Sequence, residues 1–418
     1  MRLCIFEDHD VSLLEPLTLT RPAFDLWCGA MALWRRQLRA TAAKEIGVLV
    51  RPALADLCRL EHADFAVNDS AWLQAGPAIL INSRWLPDHA IDDVQSPRVG
   101  MVDDQVAFVV LPHAAVLESI DNDIESFKQT LPHCPAGGVM IDYSWDLVKN
   151  NARMLSGDSA WFAREIPLQQ SNATVVGPRE SLRVHAEAAI EPFVVADTRN
   201  GPVLIDRGAV VQSFSRLEGP CYIGPDSWVV GAKLRGSTIG PYCRVGGEVE
   251  ASILQGYSNK YHDGFLGHSY LGEWVNLGAG TQVSDLRNDY NPIRVFIGGQ
   301  RVNTGLTKVG VFLGDHTKTG LGTLLNSGTV TGAFCNLLPS GSFLPPVVPS
   351  FCTVRYGQLQ ERSDLRQILN TAATVARRRG RELTGSHVDF FFDLFDETAA
   401  QRNKAIREYE LRRWRRSV

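Results

Sequence analysis

Asn259-Lys260-Tyr261-His262-Asp263-Gly264-Phe265-Leu266-Gly267-His268-Ser269-Tyr270-Leu271-Gly272-Glu273-Trp274-Val275-Asn276-Leu277-Gly278-Ala279-Gly280-Thr281 decides how most of this chain folds. Within it Leu271-Gly272 returns six residues later as Leu277-Gly278. A beat of six is neither a helix period nor a simple strand alternation. It is the mark of a hexapeptide β-helix, in which short parallel strands wind into a triangular prism. The aliphatic residue fills a corner of the prism, and the small residue after it turns the chain without a Cβ clash.

The beat extends both ways. Upstream stand Ile205-Asp206, Ile223-Gly224 and Ile239-Gly240. Ile205 to Ile223 and Ile253 to Leu271 are each eighteen residues, which is three hexads and one coil. Downstream, Leu313, Thr319, Leu325, Thr331 and Leu337 keep the step of six. The beat lapses between Thr281 and Leu313, which reads as a long insertion of the kind that often carries function. Pro345-Pro346-Val347-Val348-Pro349 is expected to end the prism, because proline cannot join a ladder.

The N-terminal third has a different rhythm. Leu3–Phe6 reads as a buried first strand, and apolar runs recur at 46–50, 65–67, 78–81 and 106–111, with a helical pattern over 30–42. Strands alternating with helices predict an α/β domain with a largely parallel sheet, which binds ligands at the carboxyl ends of its strands. Tyr143 to Asn151 predicts a helix, and about 157 to 178 reads as irregular. The boundaries expected are therefore an α/β domain over 1–156, a linker over 157–180, the prism over 181–350 and a helical extension over 351–418. That extension offers one amphipathic helix from Leu365 to Arg379 and another from Val388 to Trp414, with a phenylalanine cluster near the start of the second.

A net charge of −4 over 418 residues argues against a nucleic-acid partner, and the basic tail Arg412-Arg413-Trp414-Arg415-Arg416 reads as a solvated helix end. The eight cysteines form no CxxC pair, so neither a zinc site nor a disulfide framework is expected. Acids follow the first strand too early for a signal peptide, and no apolar run reaches the roughly 18 residues of a membrane span. A cytoplasmic protein without a membrane partner is expected.

Two resemblances give these segments a chemistry. The loop Leu17-Thr18-Leu19-Thr20-Arg21-Pro22 resembles that of sugar-phosphate nucleotidyltransferases, whose Rossmann-like domain holds nucleotide phosphates on a Thr-Arg pair in a Gly-rich loop. Thr20 and Arg21 match the pair and the glycines are missing. Asn82, in Ile81-Asn82-Ser83-Arg84, stands where the family has a magnesium-binding Asp, so Mg²⁺ is implied only if this domain is active. Three readings stay open for it: an active enzyme, a sugar-nucleotide binder without chemistry, or a structural domain.

The stretch quoted first resembles the acetyltransferase half of the bifunctional N-acetylglucosamine-1-phosphate uridylyltransferase/glucosamine-1-phosphate acetyltransferase family, a left-handed parallel β-helix. Asn-Lys-Tyr-His-Asp-Gly-Phe-Leu-Gly-His-Ser-Tyr-Leu-Gly-Glu-Trp and the Leu-Thr-Leu-Thr-Arg-Pro loop are most similar to one subgroup of that family. The resemblance implies acetyl-CoA as co-substrate, a sugar phosphate or nucleotide sugar as partner, and a homotrimer. It places the catalytic base at His262, with Asn276, Ala279 and Gly280 beside the acyl donor. His268 falls at a family Asp position. Asp285 and Tyr290 lie near the family's Asn-Tyr pair, and Lys260 and Arg244 are candidate phosphate contacts. Position 250 is Glu where the family has a phosphate-binding Lys, which leaves the acceptor open. Histidine suits removal of the proton an attacking amine sheds, and no protein-bound metal is needed. The competing reading of His262 is a hydrogen-bonded structural residue.

Overall fold

The computed structural model describes residues 1–41, 43–114, 119–339 and 344–417, with side chains as far as Leu411. The chain forms two compact units. The first takes Met1–Leu14, Thr20–Leu26 and Met31–Tyr143, and the second takes Glu15–Leu19, Trp27–Ala30 and Ser144–Val418.

The first unit is built on a seven-stranded sheet in the order His133–Pro135, Arg98–Val102, Gln105–Leu111, Ala78–Asn82, Arg2–Phe6, Glu45–Leu49, Ala66–Val67. The sheet is mixed: Gln105–Leu111 runs antiparallel to both neighbours, and the other pairs are parallel. Leu3 and Ile5 enter one hydrophobic cluster and Cys4 and Phe6 the opposite one. Burial on both faces is why this strand reads as a continuous apolar run. The helix expected over 30–42 is shorter, Leu33–Arg39, and residue 42 lies outside the described residues.

In this unit His62 donates or accepts at Nε2 against Asp25 Oδ1, 2.9 Å away, with its ring stacked on Phe65 at 4.5 Å. Burial pulls the imidazole down, but the Asp25 carboxylate outweighs it and holds the group above its ordinary value. A raised folded-state value means that bound proton stabilises the fold. The contribution is complete below the unfolded value of about 6.5 and is lost as pH rises through the folded value. The first unit should therefore unfold at lower urea at pH 8 than at pH 6, and His62→Phe should flatten that difference. Equal pH sensitivity in both proteins contradicts the assignment.

The second unit is the prism. One inward column runs Ile205, Ile223, Ile239, Leu254, Leu271, Leu313, Thr331, Val348, each paired in parallel with the next. Leu254 therefore holds the position expected for Ile253, and the coils there are shorter than eighteen residues. The error has a physical source. Ile253 belongs to a second column with Leu204, Tyr222, Thr238, Tyr270 and Phe312, and these residues are buried too. Leu155 and Phe162 of the helix Ser144–Glu165 cluster with Leu204 and Tyr222, and Trp145 meets Phe312 at 6.3 Å. Both faces of these strands are thus apolar, and alternation cannot say which residue points inward.

That helix also corrects the boundaries. It is one element across the expected break at 156, and 157–165 are helical rather than linker. Gly157 sits in it with open space around it, so it costs only propensity. Asn151 Oδ1 accepts from the Gly29 N–H and Thr238 Oγ1, and Asp158 Oδ2 accepts from the Ala30 N–H. Parallel pairing starts before 181, with Thr174–Val176 on Val195–Asp197. It also continues past the prolines: Val347–Val348 pairs with Val330–Thr331, and a hairpin of Cys352–Arg355 and Gln358–Glu361 closes the end. Pro345, Pro346 and Pro349 flank the two-residue strand and leave its ladder intact. The insertion carries the hairpin Arg294–Ile297/Gln300–Asn303.

At one corner Tyr242, Tyr257, Trp274, His316, Phe334 and Phe351 occupy successive turns at φ between +53° and +60°, ring on ring at 4.4 to 6.0 Å. Such φ values strain a residue with a side chain, and stacking offsets the strain. The extension forms three helices, Leu365–Arg377, Gly385–Glu397 and Ala399–Ser417. The phenylalanine cluster caps the ladder, with Phe391 edge-on to Phe334 at 4.8 Å and Phe395 edge-on to Phe351 at 5.2 Å. The side chains of Arg412 to Arg416 lie outside the described residues. Among the described residues no helix is long and apolar enough to cross a membrane.

Candidate active site

A polar column runs along one prism face: Arg244, Asn259, Asn276, Lys318 and Asn336 pair backbone to backbone across successive coils. Strand alternation sends the residue after each of these inward, as with Val245, Leu277 and Leu337. The same rule decides Lys260, which follows Asn259. It is 2 % exposed, and its ammonium donates to the carbonyls of Gly246 at 2.8 Å and His262 at 3.0 Å. Burial pulls it down to about 8. Lys260 props the turn that presents His262 and does not reach the groove, which corrects the expected phosphate contact.

Beside the column lies a groove of about 460 Å³. His262, Asn276, Gly278 and Ala279 line it, and so do Arg244, Arg378 and Arg379. The helix Leu365–Arg377 delivers the last two, and Arg379 Nη2 donates to Asn259 Oδ1 at 2.8 Å. Asn259 Nδ2 donates in turn to Asn276 Oδ1 at 3.3 Å, and the Asn276 Nδ2 has no hydrogen-bond partner among the described residues. Among the described residues the groove lining contains no carboxylate. Burial, then the neighbouring guanidinium, holds Arg244 and Arg379 below the usual arginine range. Burial and Arg362 bring Lys318, the next residue of the column, down to about 8. Like charges so placed repel one another and favour an anionic ligand.

The imidazole of His262 is exposed, lies edge-on to Tyr261 at 5.2 Å, and makes no hydrogen bond among the described residues. Of the three amides in Gly278-Ala279-Gly280, Gly278 donates to Thr319 Oγ1 and Gly280 to the Asp263 carbonyl. The Ala279 N–H has no partner among the described residues, and Ala279 lines the groove. Gly280, at φ +74°, turns the chain behind Ala279.

The remaining candidates lie elsewhere. His268 Nδ1 meets Asp285 Oδ2 at 2.7 Å, so these two pair with each other outside the groove lining. Tyr290 is 69 % exposed on the insertion. Glu250 pairs with Lys308 at 3.5 Å, so the family's phosphate position is here an ion pair. Arg378 and Arg379 were missed because a run of arginines ending a helix reads as compensation of its dipole.

In the first unit Arg21 is buried, and its carbonyl accepts from Arg51 Nη2 at 3.2 Å. Thr20 is half-buried beside it. Asn82 ends its strand directly opposite Phe6, and its Nδ2 donates to Asp8 Oδ2 at 2.7 Å. The side chain expected to meet a ligand is thus held by Asp8. Arg84, given no role by the sequence, is 1 % exposed and lies at the centre of this cluster.

Residues 3–166 match the family model described as sugar nucleotidyl transferase. The chain is 35% identical over 92 residues to the bifunctional sugar-1-phosphate nucleotidylyltransferase/acetyltransferase of Sulfurisphaera tokodaii, a span of 22% of this chain and 23% of that one. It is 36% identical over 88 residues to the bifunctional protein GlmU of Methanocaldococcus jannaschii, 21% of each chain. The matches thus span under a quarter of the length of these curated relatives. The acetyltransferase domain of PglB from Neisseria gonorrhoeae, solved with acetyl coenzyme A, overlays at 12% identity over 76% of this chain and 98% of that one, at a TM-score of 0.15. A likeness at that score adds nothing to the strand pairing itself. Residues 3–166 thus match a sugar nucleotidyl transferase domain, and over about a fifth of its length the chain is similar to bifunctional proteins of the GlmU kind.

Proposed function

We propose that the groove beside His262 transfers an acyl group, acetyl in the first instance, from a coenzyme A thioester to the amine of a sugar phosphate or nucleotide sugar. The observation that carries this reading is the meeting of His262, the unbonded Ala279 N–H and three arginines in one groove without a carboxylate. The phosphates of the donor suit Arg244, Arg378 and Arg379. As the amine nitrogen bonds to the acyl carbon, the C–S bond breaks and the amine proton passes to His262. The Ala279 N–H and the Asn276 amide supply hydrogen bonds to the carbonyl oxygen as charge develops on it. Since no group among the described residues orients the imidazole, a homotrimer with a left-handed prism, each groove facing a neighbour, belongs to the proposal, as does a cytoplasmic setting.

The family match of residues 3–166 favours a second reading, sugar-1-phosphate nucleotidyl transfer in the first unit with the prism serving assembly. Release of free thiol from acetyl-CoA, followed over a panel of amino-sugar phosphates, separates the two. Acyl transfer requires amine-dependent thiol release, and a wild type inert over the whole panel rejects it. The double change Arg378→Ala with Arg379→Ala is expected to raise KM for acetyl-CoA about tenfold or more, with kcat little changed, because charge-assisted contacts are worth roughly 1.5–3 kcal/mol.

A further inference from the structure

Domains of the sugar nucleotidyl transferase kind bring with them the expectation of Mg²⁺, and the first unit does not fit one. The fit fails at the carboxyl ends of the strands Arg2–Phe6 and Ala78–Asn82, where such sheets bind ligands. Both oxygens of Asp8 are engaged by one guanidinium: Arg84 Nε donates to Oδ1 at 2.8 Å and Nη2 to Oδ2 at 2.7 Å. Arg84 Nη2 also meets Asp10 Oδ2 at 3.2 Å and Gln105 Oε1 at 2.8 Å. Nη1 meets the Ile141 carbonyl at 3.2 Å and Asp142 Oδ1 at 3.1 Å. The Asn82 carbonyl oxygen of the side chain accepts from the Arg84 N–H at 2.9 Å, which fixes the turn that carries the arginine. Among the described residues no group of three or more His, Cys, Asp and Glu is disposed to hold a metal.

We infer that the Arg84 guanidinium stands as a built-in cation among Asp8, Asp10 and Asp142, and that the first unit works without a divalent metal. A guanidinium and a hydrated Mg²⁺ satisfy the same carboxylates by different means. The ion needs oxygen ligands in near-octahedral array, whereas the guanidinium offers five N–H donors in one plane. Once those donors are saturated, the carboxylates have no geometry left for the ion. The arginine is tethered, cannot travel with a nucleotide, and gives a leaving pyrophosphate no mobile charge. The outward carboxylates, Asp10 at 35% and Asp142 at 45% exposure, turn negative charge towards an approaching triphosphate. The inference concerns the first unit alone and stands or falls independently of acyl transfer in the prism.

Mn²⁺ titration of the full chain, read by the electron paramagnetic resonance of the free ion, tests it. Wild type is expected to leave the free Mn²⁺ signal undiminished to millimolar concentration, and nucleoside triphosphate binding, if measurable, is expected to be the same with Mg²⁺ and with EDTA. Arg84→Ala is expected to gain one Mn²⁺, because it uncovers three carboxylates. Stoichiometric Mn²⁺ binding by wild type that Asp10→Asn removes overturns the inference, as does a folded Arg84→Ala that gains no ion. Should Arg84→Ala not fold, the wild-type titration decides alone.

Discussion

Replacement of His262 by alanine is expected to slow acyl transfer by about 10²–10⁴ while leaving KM for the thioester within a few-fold of wild type, because general-base catalysis contributes about that much. The split between kcat and KM is the informative part. His262 sits on a turn held from beneath by the Lys260 ammonium, which bonds to the His262 carbonyl and not to its ring. The imidazole is exposed and carries no hydrogen bond among the described residues, so its loss leaves the prism core untouched. A merely structural histidine predicts the reverse pattern, with stability lost and turnover kept. His262→Gln, which keeps polarity without a base near neutrality, should be as slow as the alanine variant.

Arg84→Ala should destabilise the first unit by about 3–5 kcal/mol at neutral pH, the usual cost of removing one partner of a buried charge cluster. Asp8 gives the pH dependence. Burial opposes its ionisation, but the Arg84 guanidinium and the Asn82 amide prevail and hold its carboxyl below the usual carboxylate range. A depressed folded-state value contributes stability above the unfolded value of about 3.9, and that stability is lost as pH falls through the folded value. The gap between wild type and Arg84→Ala should accordingly be widest at neutral pH and narrow below about pH 4. Hydrogen exchange in Arg2–Phe6, which ends just before Asp8, and in Ala78–Asn82, which carries Asn82, reads the first unit separately from the prism. A pH-independent gap would mean that Arg84 acts through packing alone.

How much of this was legible depends on what the sequence can encode locally. The six-residue beat is a backbone period, so it announced the prism and the frame that sets His262, Asn276 and Ala279 in one groove. It failed at Ile253, where a helix covers the prism and makes outward residues as apolar as inward ones. It failed again at Lys260, because motif matching carries no sense of alternation, while the strand put that side chain inside. Arg84 and Arg379 reach their partners from distant parts of the chain. Arg84 meets Asp8 across 76 positions, and Arg379 meets Asn259 across 120. Such separations leave no local pattern. A buried arginine beside a strand end does imply nearby carboxylates, and Asp8 and Asp10 in the first loop were available to supply them.

The most direct measurement is a structure of the full chain soaked or grown with coenzyme A. The expected result places the thiol beside the His262 imidazole and the Ala279 N–H, and the phosphates among Arg244, Arg378 and Arg379. Coenzyme A bound away from this groove, or absent from it at saturating concentration, would contradict the acyl-transfer site.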